Sequence, residues 1–294
     1  MRVTNRMAYN LIGKGLSQRA ERIMRVHESI SSGKRVNDLS DDPLALTRIL
    51  DHRRSLASLD QYTENIDQAT SWLKATESSL YDVNKLLART KELVLGQTTG
   101  TATDETRQAV AEEVDRIFEH AIQLADLRLG DRYVFSGFKT DTLPFSSTSD
   151  YTYQGDTGSI QVEIARDQKV TINLNGAEVF TSGSINVFSV FDNVVTHLGS
   201  NDVSGLQADL ADLDTAMDQI LGKLAEVGAK ANQLESTKQS LLDLKLNITG
   251  MVSELEDTDL ADAVAELSLQ ETAYQASLAS SVRLMETNLL DFLK

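Results

Sequence analysis

The chain has 294 residues, 28 basic and 44 acidic side chains, a formal net charge of −16 and no cysteine. This acidity argues against a general nucleic-acid binder, because phosphate contacts need a basic surface. The lack of cysteine excludes disulfides, thiolate metal sites and cysteine nucleophiles, and no apolar run approaches the roughly 18–20 residues that would predict membrane insertion.

The first predicted helix covers about residues 5–32 and is basic. Residues 1–35 contain eight basic side chains against two acidic ones, a net charge of +6. Three apolar residues recur every seven positions on one face of this helix: Leu16, Ile23 and Ile30. Gly33 supplies a C-terminal stop. The segment lacks the apolar stretch of a cleaved signal peptide, so any export would use a route that does not read one.

A second helix is predicted over about residues 43–95. Asp42 before Pro43 is typical of an N-cap followed by proline at the first helical position. Apolar residues then recur every seven positions, the pattern of a helix packed along a partner helix: Leu59, Ile66, Leu73, Leu80, Leu87 and Val94. A glycine- and threonine-rich segment at residues 96–101 ends this helix.

A small β module follows a third helix, which we expect to run from Thr103 to Gly130. From Asp131 onward apolar and polar residues alternate, the two-residue period of a half-buried strand. Four strands are predicted: residues 132–138, 151–154, 160–164 and 169–174. Turns at residues 155–158 and 175–176 separate them, so we expect an antiparallel unit with its own core.

The strongest heptad pattern lies after the module. It follows a short apolar helix near residues 188–198 and runs from Leu206 to Leu255, with Lys238 and Lys245 as its two polar seam positions. Its length matches that of the second helix. The sequence therefore predicts a mainly α fold with an inserted β module, in which the N- and C-terminal halves form a long antiparallel coiled-coil rod.

A last, acidic helix follows a break at residues 256–259. Residues 254–294 carry nine acidic side chains against two basic ones, a net charge of −7. Its apolar residues form one stripe and a second strip, which favours more than one partner: Leu260, Val264, Leu267, Tyr274, Leu278, Met285 and Phe292, then Leu284 and Leu289. Because the charges of the two ends nearly cancel, we expect the terminal helices to pair. Their apolar residues, with Leu16, Ile23 and Ile30, are the predicted assembly interface.

No constellation of side chains points to catalysis, a cofactor or a metal. Four histidines are scattered without the spacing of metal ligands: His27, His52, His120 and His197. Asp38, Asp41 and Asp42 are explained by helix capping and the helix dipole. The turn at residues 155–158 is interpreted as a tight hairpin rather than a calcium loop. We therefore expect a structural protein and not an enzyme.

Several segments resemble signatures of the bacterial flagellin-like family. They are residues 31–37 (SSGKRVN) with 40–43 (SDDP), residues 87–93 (LARTKEL) and residues 257–261 (DTDLA). Others are similar to members of this family at the hook–filament junction: residues 131–137 (DRYVFSG), 142–145 (TLPF), 274–278 (YQASL) and 289–293 (LLDFL). The resemblance covers nearly the whole chain and is most specific at both ends.

This resemblance implies a subunit of the extracellular flagellum, secreted unfolded through the type III export apparatus with the help of an export chaperone. Such subunits would form a ring, a homo-oligomer, between hook-associated protein 1 and the first flagellin. Residues 1–42 with 258–294 would form the inner-tube polymerisation domain. Residues 43–131 with 187–257 would form the rod, and residues 132–186 the β module on the outer face.

Two alternatives stay open at this point. The chain could be a small flagellin that forms the filament itself and polymerises into long filaments. It could also be a surface-binding module on a helical rod, with the β module recognising a carbohydrate or a host surface. The second alternative would need clustered exposed aromatic side chains, for which Tyr133, Tyr151 and Tyr153 are the candidates.

Overall fold

The computed structural model describes residues 5–99, 102–145, 151–181 and 183–292, with the backbone alone for residues 5, 6, 8, 9 and 284–292. In chain order its elements are α1 (Asn5–Ser32), α2 (Pro43–Gln97), α3 (Asp104–Ala125), β1 (Arg128–Leu129), β2 (Arg132–Tyr133), β3 (Gln161–Ala165), β4 (Gln168–Thr171), a π-helical turn (Ala177–Thr181), α4 (Val187–Gly199), α5 (Val203–Glu256) and α6 (Leu260–Phe292). Among the described helices, none combines the length and apolarity of a membrane-crossing segment.

The chain divides into two compact units. Unit 1 comprises Met1–Ser58 and Asp243–Lys294, and unit 2 comprises Leu59–Leu242. Helices α2 and α5 each contribute to both units, whereas α1 and α6 belong to unit 1 and the β module belongs to unit 2. The predicted fold class, mainly α with an inserted β module, is confirmed.

Local sequence signals set the helix ends in unit 1. Gly33 takes the left-handed conformation that ends α1, with a φ of 70°. Asp42 caps α2, because its Oδ1 accepts a hydrogen bond of 2.9 Å from the backbone N–H of Ala45. Asp259 caps α6 in the same way, accepting from the N–H of Ala261 at 2.8 Å. The core of the unit is small: buried Val36, Ala45 and Ile49 pack against Leu46, Val252 and Leu255.

The heptad seam of unit 2 is buried as predicted. All six predicted positions from Leu59 to Val94 on α2 are buried. On α5, one position of each heptad is buried: Leu206, Leu213, Ile220, Val227, Leu234 and Leu241. Two ion pairs show that the helices run antiparallel: Lys91 with Asp214 and Lys238 with Asp67, each 2.5 Å between nitrogen and oxygen.

The third helix ends earlier than predicted. Its start agrees with the sequence, because Thr103 and Thr106 form a capping box. Its last residue is Ala125 rather than Gly130. The chain leaves the helix here because residues 128–133 form the short β1–β2 hairpin, and Gly130 adopts a φ of 62° in its turn.

In the described residues, the strands of the β module are shorter than the alternation predicted. The strand expected at residues 132–138 is reduced to Arg132–Tyr133, and residues 151–154 contribute only an isolated bridge from Tyr153 to Phe145. The other two predicted strands are confirmed as the antiparallel pair β3–β4.

The two predicted turns of the module are stabilised by side chains. At residues 155–158 no hairpin forms; instead Asp156 Oδ1 accepts the N–H groups of Phe138 at 2.7 Å and Gly158 at 2.9 Å. Asn175 Oδ1 accepts the N–H of Ala177 at 2.9 Å, at the start of the π-helical turn. Side-chain hydrogen bonds thus replace strand ladders in much of the module.

An aromatic cluster forms the core of the module and attaches it to α3 and α4. Phe145 meets Phe188 edge-to-face with centroids 4.9 Å apart, and Phe180 stacks on Phe188 at 5.4 Å. On α3, Phe118 stacks on Phe191 at 5.5 Å. Phe135, Phe145, Phe180, Phe188 and Phe191 are all fully buried. This cluster supplies apolar burial that the short strands could not provide alone.

Candidate assembly surface

The two ends of the chain meet in unit 1, as the sequence predicted. Helix α1 packs against α6. Their linkers form a short antiparallel pairing in which Arg35 N–H donates to the carbonyl of Glu256 at 2.7 Å, and Thr258 N–H donates to the carbonyl of Gly33 at 3.0 Å. The first and last helices are therefore fixed to each other at this point.

The seam between α1 and α6 is mostly apolar, and all but two of its residues, Ala263 and Ser281, are only half-buried. On α1 it consists of Ile12, Leu16, Ile23 and Ile30, and on α6 of Ala263, Leu267, Tyr274 and Ser281. A groove along the seam is lined largely by small side chains, among them Gly15, Ala273 and Ser277. A seam of this kind leaves much of each helix surface uncovered.

The predicted interface residues fall into three groups. Leu16, Ile23, Ile30, Leu267 and Tyr274 lie half-buried in the seam. Leu260, Val264 and Leu278 lie on the neighbouring face of α6, outside the seam, and are 53%, 54% and 48% exposed. The side chains of Leu284, Met285, Leu289 and Phe292 lie outside the described residues. The sequence stripe thus combined two neighbouring faces of α6.

Five exposed residues of α6 lie along one side of the helix, here called the open stripe: Leu260, Val264, Glu271, Leu278 and Val282. At about 100° per residue, all five fall within about 40° of arc. Four of the five are large apolar side chains that stay about half-exposed. An ordered line of this kind indicates a contact with another molecule.

A second exposed line runs along α1, on the side away from the seam. This outer face consists of Met7, Leu11, Lys14, Gln18, Arg22 and Arg25. Leu11 is 78% exposed and Met7 is 65% exposed. The outer face therefore presents apolar side chains followed by three cations.

The expected pairing of opposite charges between the terminal helices is not found along their seam. Within the described parts of α1 and α6, no ion pair joins the two helices. Lys14, Arg22 and Arg25 are exposed and form no ion pair with a described residue. The seam is made by apolar contact, and the attraction between the chain ends is concentrated in the linkers.

That attraction centres on Glu256, the last residue of α5. Its carboxylate is 7% exposed and lies 2.6 Å from the nitrogen of Lys34 and 2.6 Å from a guanidinium nitrogen of Arg53. Burial acts to raise the pKa of Glu256, but the hydrogen bonds from Lys34 and Arg53 outweigh it and lower the pKa below its usual value. The three residues are called the Glu256 site below.

Sequence reasoning missed this site. It interpreted residues 256–259 as a helix break with a cap, which is correct for Asp259 and incomplete for Glu256. The sequence did contain a signal for this ion pairing. Lys34 and Arg35 directly follow Gly33, where α1 ends, and residues 256–259 are acidic. Because the two chain ends were expected to meet, these opposite charges could have been expected to pair. Arg53 gave no such signal, because exposed arginines are common on α2.

The described residues contain no cluster suited to hold a metal ion. His197 is paired with the buried carboxylate of Asp209 at 2.8 Å. The three candidate tyrosines are half-buried: Tyr151 packs on Phe118 with centroids 4.8 Å apart, Tyr153 donates to the carbonyl of Phe135 at 2.8 Å, and the Tyr133 ring lies under Arg128. They serve packing and do not form an exposed aromatic patch.

Long antiparallel helices, a small inserted β module and paired terminal helices are also the features of a known class of filament proteins. Residues 3–140 match the bacterial flagellin N-terminal helical region, and residues 210–293 match the bacterial flagellin C-terminal helical region. The chain belongs to the bacterial flagellin family.

Within this family the similarity extends to hook-associated proteins. The chain is 28% identical to flagellar hook-associated protein 3 of Escherichia coli K12 over 302 residues, which cover 94% of this chain and 95% of that protein. Its fold is similar to the structure of a putative flagellar hook-associated protein from Vibrio parahaemolyticus, with a TM-score of 0.69, 25% identity and coverage of 74% of this chain and 100% of that chain. A flagellin of Bacillus subtilis is 27% identical over 273 residues, 86% of each chain. The resemblance noted from the sequence is confirmed.

Proposed function

We propose that this chain is a structural subunit of the bacterial flagellum that joins the hook to the flagellin filament. The observation that carries the proposal is the open stripe of α6, an apolar line left uncovered in a chain whose length matches hook-associated protein 3 almost completely. A protein that worked as a monomer would gain nothing from such a line, because exposed apolar stripes promote association.

The proposed mechanism is burial of the terminal helices between copies. Each fully buried leucine contributes roughly 1.5–3 kcal/mol, and the half-exposed residues of the open stripe have about half of that still to gain. Repeated around a ring, the contact would make assembly hard to reverse. Residues 1–42 with 258–294 would form the inner wall, residues 43–131 with 187–257 the rod, and residues 132–186 the outer module.

The proposed partners follow from the position in the organelle. Hook-associated protein 1 would lie on the hook side of the ring and flagellin on the filament side. Before assembly the chain would need an export chaperone, because the open stripe is an aggregation risk in the cell. The mature position would be extracellular, after type III export, with no cofactor and no enzymatic activity involved.

The test uses a strain that lacks this protein and carries it back on a plasmid. We expect the strain without it to make hooks, lack filaments and shed unpolymerised flagellin, as seen by electron microscopy and by flagellin in the medium. Leu278→Asp should fail to restore filaments. Leu269→Asp is the matched control, because Leu269 is exposed on the opposite side of α6. Normal filaments without the protein would refute the proposed function.

One other function has support: the chain could be a small flagellin, since a flagellin aligns over 86% of it. Incubation of the purified protein with filament seeds distinguishes the flagellin function from the junction function. Growth of long filaments from this protein alone would favour the flagellin function, and arrest at small oligomers would favour the junction.

A further inference from the structure

A polar cleft lies in unit 2, between the β3–β4 hairpin and helix α5. Its volume of about 590 Å³ falls within the roughly 300–1,000 Å³ of small-molecule binding sites. One wall includes Lys169 and Thr171 of β4. The other wall is α5, where Glu226, Lys230 and Gln233 follow the spacing of one helix face. These residues are not part of the assembly surface described above, so the cleft needs a separate explanation.

Two acids line the cleft, and both are paired with lysines of α5. Glu226 lies 2.9 Å from the nitrogen of Lys230 and 3.3 Å from that of Lys223, and Lys223 also contacts Glu178. Burial acts to raise the pKa of Glu226, but the two lysines outweigh it and lower the pKa. The negative charge of both carboxylates is thus balanced within the chain, which lets an anionic ligand approach.

The β4 wall carries a cation without such a partner. Within the described part of the chain Lys169 forms no ion pair, and its cross-strand neighbour Glu163 is not within ion-pair distance. The side chains of Thr171 and Gln233 likewise have no hydrogen-bond partner among the described residues. An ammonium, a hydroxyl and an amide of one cleft can therefore all bind a ligand, as donors and as acceptors.

The cleft favours a polar ligand. Val170 and Leu174, apolar residues of its lining, are only 8% and 4% exposed, so they give a ligand little apolar area to cover. Hydroxyl, amide and ammonium groups offer hydrogen bonds instead. A ligand with several hydroxyl groups and a negative charge fits this arrangement better than an apolar one.

One side of the cleft, residues 157–159, is held in place by Asn173. Asn173 is 5% exposed; its Oδ1 accepts the N–H of Ile160 at 2.8 Å, and its Nδ2 donates to the carbonyl of Gly158 at 2.8 Å. The ring of Phe138 packs on Gly158, where an added Cβ would lie 2.1 Å from a ring carbon. Phe138 is 65% exposed. The cleft is therefore preformed, with an exposed aromatic ring beside it.

We propose that this cleft binds an acidic saccharide, with Lys169 paired to a sugar carboxylate and Thr171 and Gln233 bonded to sugar hydroxyls. Sugar hydroxyls both donate and accept, as the threonine hydroxyl and the glutamine amide do. An ammonium forms strong, charge-assisted hydrogen bonds with a carboxylate. The ring of Phe138 supplies an apolar surface for the C–H face of a sugar. This binding is additional to the proposed junction function and does not depend on it.

Titration of the purified full-length chain with two short saccharides tests the proposal. The probes are tri-galacturonic acid, which has a carboxylate on each ring, and maltotriose, which is neutral and of similar length. Tri-galacturonic acid should shift the NMR amide signals of residues 157–159, 169–171 and 230–233 and leave those of unit 1 unchanged. From these shifts we expect it to bind at least about tenfold more tightly than maltotriose.

Removal of the unpaired cation should reduce this affinity. Lys169→Gln should weaken the binding of tri-galacturonic acid by about tenfold, because the carboxylate loses its charged donor. Arg166→Gln is the matched control: it removes a cation from the same hairpin, and the Arg166 side chain is 93% exposed and lies outside the cleft. This control should bind tri-galacturonic acid as wild type does.

The other proposed contacts are tested in the same titration. Gln233→Ala should weaken the binding of tri-galacturonic acid by about fivefold through lost hydrogen bonds. Gln207→Ala, at another exposed position of α5, is its control and should leave the affinity unchanged. Phe138→Ala should weaken binding by a factor similar to that of Gln233→Ala, since the sugar loses its aromatic contact. Circular dichroism of each variant verifies that the fold is kept.

Four outcomes would overturn the proposal. The cleft does not bind an acidic saccharide if tri-galacturonic acid leaves the amide signals of the cleft unshifted. Equal weakening by Lys169→Gln and Arg166→Gln would show a general attraction to charge, and equal affinity for maltotriose would show that no carboxylate is selected. Acetate is the last comparison: if it shifts the same amides at the same concentration, the cleft binds carboxylate ions in general and the saccharide assignment is wrong.

Discussion

The guanidinium of Arg53 donates two hydrogen bonds to the carboxylate of Glu256, at 2.6 and 2.8 Å. Arg53 lies on α2 and Glu256 ends α5, directly before the turn into α6. Lys34, in the linker that leaves α1, contacts the same carboxylate. One buried acid thus connects α2 and the end of α5 to the linker that follows α1, directly before the turn into α6.

Replacing Glu256 should destabilise the linkers that join α1 and α6 to the rest of unit 1. Glu256→Gln keeps the size of the side chain but removes the charge that Lys34 and Arg53 contact, so we expect a loss of about 1–3 kcal/mol in the free energy of unfolding of unit 1. The lower end of this range is favoured, because both cations are about half-exposed. Urea unfolding monitored by circular dichroism measures it. Glu254→Gln, an exposed neighbour, is the control and should change the stability little.

The difference in stability between wild type and Glu256→Gln should also depend on pH. The folded-state pKa of Glu256 is lowered from its usual value of 4.5, so its stabilising contribution is complete above pH 4.5 and is lost as the pH falls through the lower folded pKa. The stability difference between wild type and Glu256→Gln should therefore shrink on acidification. A difference that stayed constant down to pH 2 would mean that the carboxylate charge is not what stabilises the site.

The contribution of Asp126 to stability should depend on pH in the opposite direction. Burial raises its pKa to about 6, although the backbone N–H of Phe145 donates to it at 3.0 Å and acts in the other direction. A raised folded pKa means that the folded protein holds the proton more tightly, so stability should fall as the pH rises from about 4 to about 6. Asp126→Asn keeps an acceptor for Phe145 and should be more stable than wild type at pH 7, on the order of 1–2 kcal/mol after allowance for partial exposure. Thermal unfolding of both proteins at pH 4 and 7 gives the comparison; equal pH profiles would contradict it.

Two glycines with the same backbone angle should respond differently to alanine. Gly33 and Gly137 both have a φ of 70°. Around Gly33 an added Cβ would meet nothing within 4 Å, so Gly33→Ala should cost about 1 kcal/mol from backbone strain alone. At Gly137 the Cβ would lie 2.2 Å from the carbonyl oxygen of Asp156, so steric overlap adds to the strain and the cost should be at least twice as large. The free energies of unfolding of the two variants test this expectation. Equal losses of stability would show that the β module rearranges around Gly137 and relieves the overlap.

The seam of unit 2 should be the most sensitive part of the rod helices. Leu80 is fully buried on α2, and Leu80→Ala should lower the free energy of unfolding by about 2–5 kcal/mol through lost burial and the cavity left behind. Leu95 lies on the same helix and is 56% exposed, so Leu95→Ala should stay within about 0.5 kcal/mol of wild type. Comparable losses at the two positions would mean that α2 is not packed by the predicted seam.

This seam is also what the sequence predicted best. A seven-residue repeat specifies a helix and its buried face together, and a long repeat leaves little room for another pattern. The β module was predicted less well, because its strands are only two to five residues long and its loops are stabilised by single side chains such as Asp156. Alternation cannot distinguish such loops from strands, since both place every second side chain inward.

The assembly surface was predicted in composition but not in geometry. The apolar residues of α6 were identified, yet Leu267 and Leu278 were assigned to one stripe although the first packs on α1 and the second is exposed. Positions that differ by a small rotation of the helix can face different partners, and only the location of α1 separates them. The Glu256 site depends on residues more than two hundred positions apart, a pairing that one sequence does not specify.

The half-buried seam of the terminal helices leads to a last prediction, that their order depends on assembly. Ile23 and Ile30 on α1 are only partly covered, whereas Ile66 and Leu80 on α2 are fully buried. Isolated helices depend on burial of an apolar face, so α1 and α6 should open locally at lower free energy than α2. In hydrogen exchange of the purified monomer, we expect amides of residues 12–30 and 263–281 to exchange at least about tenfold faster than those of residues 66–90. If neighbouring copies cover the open stripe, as the proposed function requires, the difference should largely disappear in purified flagella. Equal protection of all three segments in the monomer would show that a single chain already holds its terminal helices firmly, and burial between copies would not be needed to order them.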